Sequence, residues 1–225
     1  AVFFADTPGV YDRYRERVDE SVRYGVCWPP HDPMVLLSAM AASTSHLGLA
    51  VTMSLSAIPP YGAVRTLSTL DYVTGGRIGW NVVTGHLRGE YRAMGLDQLE
   101  HDERYDRADE YMEVCYKLWE GIAPGAILMD RKTGEFADPG KVARINHRGK
   151  YFRCEGVSPT LPSAQHRPVI FQAGSSGRGQ QFAVKHAEVM FSIQPHTEGM
   201  KRYMAQLGSA MAAQGRQDPI RVTFG

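Results

Sequence analysis

The sequence predicts an α/β fold and, within that class, a TIM (β/α)8 barrel. Three observations carry this expectation. Short β-rich runs alternate with longer helical patterns along the chain, the rhythm of a parallel sheet with right-handed crossovers. The β-rich runs are continuously apolar rather than alternating, which fits strands covered on both faces. The first run leads into Ala5-Asp6-Thr7-Pro8-Gly9, which lacks the G-x-G-x-x-G turn of a doubly wound dinucleotide fold.

In chain order, strands are predicted at residues 2–5, 47–54, 78–84, 169–173, 189–193 and 220–224. Between them lie five helices. Asp32 followed by Pro33 is an N-cap with proline in the first helical position, and it opens the helix at 34–43. The helix at 61–73 stops at Gly75-Gly76, a C-terminal cap signal. In the helix at 101–120, Tyr105, Ala108, Met112, Cys115 and Trp119 recur at three- and four-residue steps, giving one apolar stripe. Two more helices are predicted at 177–187 and 197–214. The stretch 122–167 breaks the rhythm. It is rich in Gly, Pro and charge, it carries a predicted hairpin at 146–154 around Arg148-Gly149, and it is too long for an ordinary loop. It reads as an insertion before the fifth strand of a full barrel. Both ends of the chain read as core strands. The expectation is a single partial barrel over 1–225, one βα unit short on each side.

Composition excludes several functions. With 225 residues and a net charge of +1, no electrostatic argument favours nucleic acid or an anionic membrane. No apolar run approaches the roughly 20 residues a membrane helix needs, and the opening segment lacks the basic region of a signal peptide. Cys27, Cys115 and Cys154 show no metal or redox spacing and read as reduced thiols of a cytoplasmic protein.

In a parallel barrel, chemistry collects at the C-terminal ends of strands. That rule selects Asp6 and the loop to Tyr11, then Thr52 and Ser54, then Asn81, Thr84 and His86, then Gly174 to Ser176, then Gln194 and His196. The sharpest signal is Gly174-Ser175-Ser176-Gly177-Arg178-Gly179, between a strand and a helix. Small residues, two hydroxyls and free amides at a helix start suit a phosphate; the same residues also suit a tight turn with a serine cap. His86 follows a strand that turns suddenly polar. It is either a ligand to a phosphate or an acid–base group near neutrality, or else a surface cap. Asp6 is either an acceptor for a polar ligand edge or a helix cap. Tyr105 lies on an apolar stripe, where packing is the common role, yet its hydroxyl needs a polar partner if buried. His101-Asp102-Glu103 lacks zinc-ligand spacing, and no metal is expected.

Phe3-Phe4-Ala5-Asp6, Ser68-Thr69-Leu70-Asp71, Gly75-Gly76-Arg77-Ile78-Gly79-Trp80-Asn81-Val82-Val83-Thr84, His101-Asp102-Glu103-Arg104-Tyr105 and Phe171-Gln172-Ala173-Gly174-Ser175 occur in that order. Together they resemble the bacterial luciferase-like superfamily, in particular its monooxygenases acting on nitrilotriacetate, dibenzothiophene sulfone, long-chain alkanes and dimethyl sulfide. The resemblance implies a flavin-dependent monooxygenase that uses reduced FMN (FMNH2) and O2 to oxygenate a small organic substrate, with an NAD(P)H:flavin reductase as supplier. It implies that Ser175 and Ser176 hold the FMN phosphate, with Tyr105 and His86 reaching it from the other side. Asn81 would line the flavin site, Asp6 would lie at the polar edge of the ring, and Thr52 or Ser54 beneath it. Tyr11 would face the substrate, and His86 would alternatively serve as acid or base. A homo-oligomer, dimer or tetramer, is expected. The competing readings are an F420-dependent oxidoreductase of the same superfamily and a non-catalytic, truncated flavin-binding subunit.

Overall fold

The computed structural model describes residues 1–56, 58–174 and 176–225. Six strands, β1 (Val2–Phe4), β2 (Leu49–Ser54), β3 (Ile78–Val83), β6 (Val169–Gln172), β7 (Val189–Ser192) and β8 (Arg221–Phe224), form one sheet in the order β1-β2-β3-β6-β7-β8. Every pairing is parallel. All six strands expected from the sequence are present, each trimmed by one or two residues. β4 (Ile145–Arg148) and β5 (Arg153–Gly156) form the expected antiparallel hairpin outside this sheet.

The described residues also form helices. They are α1 (Asp19–Tyr24), α2 (Pro33–Ser43), α3 (Pro60–Val73), α4 (Arg88–Ala93), α5 (His101–Trp119), α6 (Gly177–His186) and α7 (Thr197–Ala213). The capping signals act as predicted. Asp32 accepts a hydrogen bond from the Met34 amide at 2.8 Å, and Gly75 and Gly76 both take positive φ after α3. The α5 stripe is wholly buried in a core shared with Leu49, Val51, Leu67, Trp80, Ile170 and Phe182. A smaller core joins α6 and α7 to β7 and β8 through Ala183, Met190, Tyr203 and Leu207. The short helices α1 and α4 escaped prediction, since six residues are too few for helical periodicity to declare itself.

The sheet is curled, and its hand-over of side chains decides where a site can lie. Phe3 on β1 meets Phe171 on β6 at 5.8 Å and stacks on Phe191 on β7 at 5.2 Å between ring centres. Strands that are not neighbours in the sheet therefore face each other across a concave interior. Gly79 on β3 permits this: a Cβ there would sit 2.6 Å from the Phe171 ring. The described residues form part of a ring, in keeping with the partial barrel expected from the sequence. β1 and β8 are the two edges of a half-barrel, because six strands at the usual tilt do not complete an eight-stranded circumference. Among the described residues no helix is long and apolar enough to cross a membrane.

Candidate active site

Side chains alternate between the two faces of a strand. On β2 and β3 this puts Val51, Met53, Trp80 and Val82 outward under the helices, and Thr52, Asn81 and Val83 inward. The concave face ends in a cavity of about 430 Å³ lined by Phe3, Thr52, Asn81, Val83, Ala173 and Phe191, with Asp6, Tyr11, His86 and Glu90 added by the loops after β1 and β3. These are the C-terminal ends of the strands. A larger hollow of about 910 Å³, near Arg167, Val169, Glu188 and Arg221, lies at the opposite, N-terminal ends, where parallel barrels rarely place chemistry.

Within the cavity, Thr52 and Asn81 are both buried. The Asn81 amide nitrogen donates to Thr52 Oγ1 at 2.9 Å, while Asn81 Oδ1 is buried without a hydrogen-bond partner among the described residues. Partial desolvation raises the Asp6 pKa above its ordinary value, and the carboxylates of Asp32 and Glu90 add to the rise. His86 keeps contact with solvent. Even so, partial desolvation pulls its pKa below the usual imidazole value, helped by the positive charges of Arg13 and Arg104. Its ring stands edge-on to Tyr11 with centres 6.0 Å apart. Asp6, Tyr11, Thr52, Asn81 and His86 thus line one cavity.

The glycine-rich turn after β6 builds the adjoining part. Ser176 caps α6, accepting from the Gly179 amide at 3.0 Å. Ser175 lies outside the described residues. The Tyr105 hydroxyl faces this turn from α5: a Cβ at Gly174 or Gly179 would lie 3.1 or 2.7 Å from it. Tyr105 packs against Phe182 and His101, not against His86. Among the described residues His86 packs with Tyr11 and Tyr105 with His101 and Phe182, so the two side chains are not in direct ring contact. The helix explains this, since adjacent residues point about 100° apart. Arg104 turns toward the His86 loop and donates to the Gly85 carbonyl, while Tyr105 turns toward α6. Ala173 belongs to the cavity wall and precedes the turn, so cavity and turn adjoin.

Sequence reasoning missed Glu90. Only 1% exposed, it lines the cavity and accepts hydrogen bonds from Ser54 and Ser56. Gly9 lies so close that a Cβ there would be 2.7 Å from the Glu90 amide. Beside it, Asp12 pairs with Arg92 at 2.9 Å. α4 is thereby clamped to the loop that carries Tyr11. The Gly89-Glu90-Tyr91 stretch gives no motif; a polar serine pair ending β2 was the available hint that a buried acceptor lay nearby.

Comparisons with known proteins show which family this chain resembles. The chain is 48% identical to a long-chain alkane monooxygenase of Geobacillus thermodenitrificans, an alignment covering 100% of this chain and 52% of that protein. It is 46% identical to the dimethyl-sulfide monooxygenase of Hyphomicrobium sulfonivorans, over 98% of this chain and 47% of the relative. The chain thus spans about half the length of these curated relatives. The crystal structure of riboflavin lyase with modified FMN and riboflavin superposes with a TM-score of 0.93 at 40% identity, covering 99% of this chain and 50% of that one. The pattern of the luciferase-like monooxygenases matches residues 17–225, and with these identities the chain belongs to the luciferase-like monooxygenase family.

Proposed function

We propose that this chain carries the flavin site of a monooxygenase that uses reduced FMN and O2 to oxygenate a small organic substrate, the flavin being supplied by a separate NAD(P)H:flavin reductase. One observation supports this above all. An acceptor-bearing cavity, with Asn81 Oδ1 unsatisfied, adjoins a serine-capped, glycine-rich helix start faced by the Tyr105 hydroxyl. That is a ring pocket next to an anion seat, and the residues fit FMN on both counts. Bound reduced FMN would supply the activation of molecular oxygen, which no side chain here performs.

The chain's own residues would bind, orient and shield. Ser175 and Ser176 would hold the phosphate with the α6 amides, and Tyr105 would donate from across the turn. Asn81 and Thr52 would meet the ring, with Asp6 at its polar edge. Phe3, Val83 and Phe191 would keep bulk water from the reacting face. His86, neutral at pH 7 because its pKa is lowered, can accept a proton on a ring nitrogen. Tyr11, edge-on to it, would face the substrate. Asp6 and Glu90 are acidic, and among the described residues no lysine or arginine lines the cavity, which favours an apolar sulfide, sulfone or alkane over an amine polyacid. Residues 122–167 are read as an insertion into the βα rhythm.

The test is anaerobic titration of the protein with FMN, then addition of O2, a flavin reductase, NADH and dimethyl sulfide or a long-chain alkane. Flavin binding with substrate-dependent product formation is expected. A preference for F420 would transfer the chain to hydride chemistry. Flavin binding without any oxygenated product across both substrates would support a non-catalytic subunit.

A further inference from the structure

Glu90 is a carboxylate buried where charge is disfavoured. It lines the cavity, and its Oε1 takes hydrogen bonds from hydroxyls, those of Ser54 and Ser56. Burial of a carboxylate is unfavourable unless its surroundings are built to receive it. Three strand-end loops close around this one. After β2, the two serine hydroxyls lie 2.7 Å from each other and both reach Glu90. After β3, Gly85 takes a positive φ of 75°, and a Cβ there would lie 2.7 Å from Glu90 Oε1. After β1, a Cβ at Gly9 would lie 2.7 Å from the Glu90 amide nitrogen, and one at Gly89 would lie 2.9 Å from the Asp12 carboxylate. Glycine is what permits approaches this close.

The loops that meet at Glu90 carry Tyr11 and His86, whose rings stand edge-on to each other. The His86 loop is held by further contacts. Arg104 on α5 donates to the Gly85 carbonyl, while Arg13 and Gln98 donate to the His86 carbonyl at 3.5 and 3.4 Å. The charged groups around the His86 ring are therefore Arg13, Glu90 and Arg104. Partial desolvation and Arg13 pull the imidazole pKa down, Glu90 opposes them, and Arg104 adds to the fall. We propose that Glu90 is a positioning residue for the oxygenation reaction, holding the Tyr11 and His86 loops in one arrangement and supplying a negative charge beside them. This rests on the monooxygenase reading above and gives the buried carboxylate a part in it.

The experiment follows the His86 imidazole by NMR across pH in the flavin-free protein, with His86→Gln used to assign the resonance. Glu90→Gln leaves desolvation and the arginines unopposed, so the His86 titration should move to lower pH. Glu90→Asp keeps the charge and should stay closer to the wild type. A second arm measures oxygenation of dimethyl sulfide with reduced FMN. Glu90→Gln should lower kcat at least about tenfold, since a displacement on the order of 1 Å in a reacting group is enough for that, with the FMN dissociation constant little changed. An unmoved His86 titration in folded Glu90→Gln, or a kcat equal to that of the wild type, overturns the proposal. Should Glu90→Gln fail to fold, Gly85→Ala takes its place. Its methyl group would part the His86 loop from the carboxylate and should move the titration the same way, and no movement overturns the proposal. A wild type that neither binds FMN nor oxygenates refutes the monooxygenase reading, and the flavin-free titration still judges Glu90.

Discussion

Asp6 carries a carboxylate where charge is penalised. Desolvation and two neighbouring carboxylates raise its pKa, so the folded chain binds its proton more tightly than the unfolded chain does. Folding stability attributable to Asp6 is then present at low pH and lost as pH rises past the ordinary Asp value. At pH 7 the penalty is in full force. Asp6→Asn should therefore raise the melting temperature at pH 7 by about 1–3 °C after solvent screening, with the gain shrinking toward pH 4, while flavin affinity falls. Scanning calorimetry at both pH values checks this; a lower melting temperature at pH 7 would contradict it. Asp6, Tyr11, Thr52, Asn81 and His86 were all selected from sequence by the strand-end rule, and all line one cavity. Glu90 was not, because a buried carboxylate satisfied by two serines 34 and 36 positions away has no local signature.

At the scale of elements, the proposed phosphate seat depends on how α6 is docked. Its N-terminus bears Ser176, and its body is tied to α5 through Asp109. Burial acts to raise the Asp109 pKa, but hydrogen bonds from His186, Arg178 and Lys185 outweigh it and hold the carboxyl well below its ordinary value. The contacts are 2.7 Å to His186, 2.7 Å to Arg178 and 3.0 Å to Lys185. A lowered folded pKa means stability present above the ordinary Asp value and lost as pH falls below it. Asp109→Ala leaves a buried histidine and an arginine without that acceptor. It should cost about 1–3 kcal/mol in urea denaturation at pH 7, with a smaller difference near pH 3. An unchanged midpoint would show that the α5–α6 contact does not depend on this carboxylate. The long elements were legible because their signals are local: the Asp32-Pro33 start, the Gly75-Gly76 stop and the α5 stripe each act within one helix. The packing of Tyr105 against Phe182 was not legible, since it depends on which way α5 turns against α6.

At the scale of the whole molecule, the parallel β/α order was readable from six apolar runs, and the curl was not. It rests on Phe3 reaching Phe171 and Phe191 across the interior, contacts separated by most of the chain. The half-barrel brings the strand ends, the His86 loop and the α6 start to one rim. The central claim is that this rim is a single FMN site. The most direct measurement is a crystal structure of the protein soaked with FMN. The account predicts the phosphate at the α6 N-terminus beside Ser176 and Tyr105, and the ring in the cavity against Asn81 and Thr52. FMN bound elsewhere, for instance in the hollow near Arg167 and Arg221 at the opposite strand ends, would contradict it.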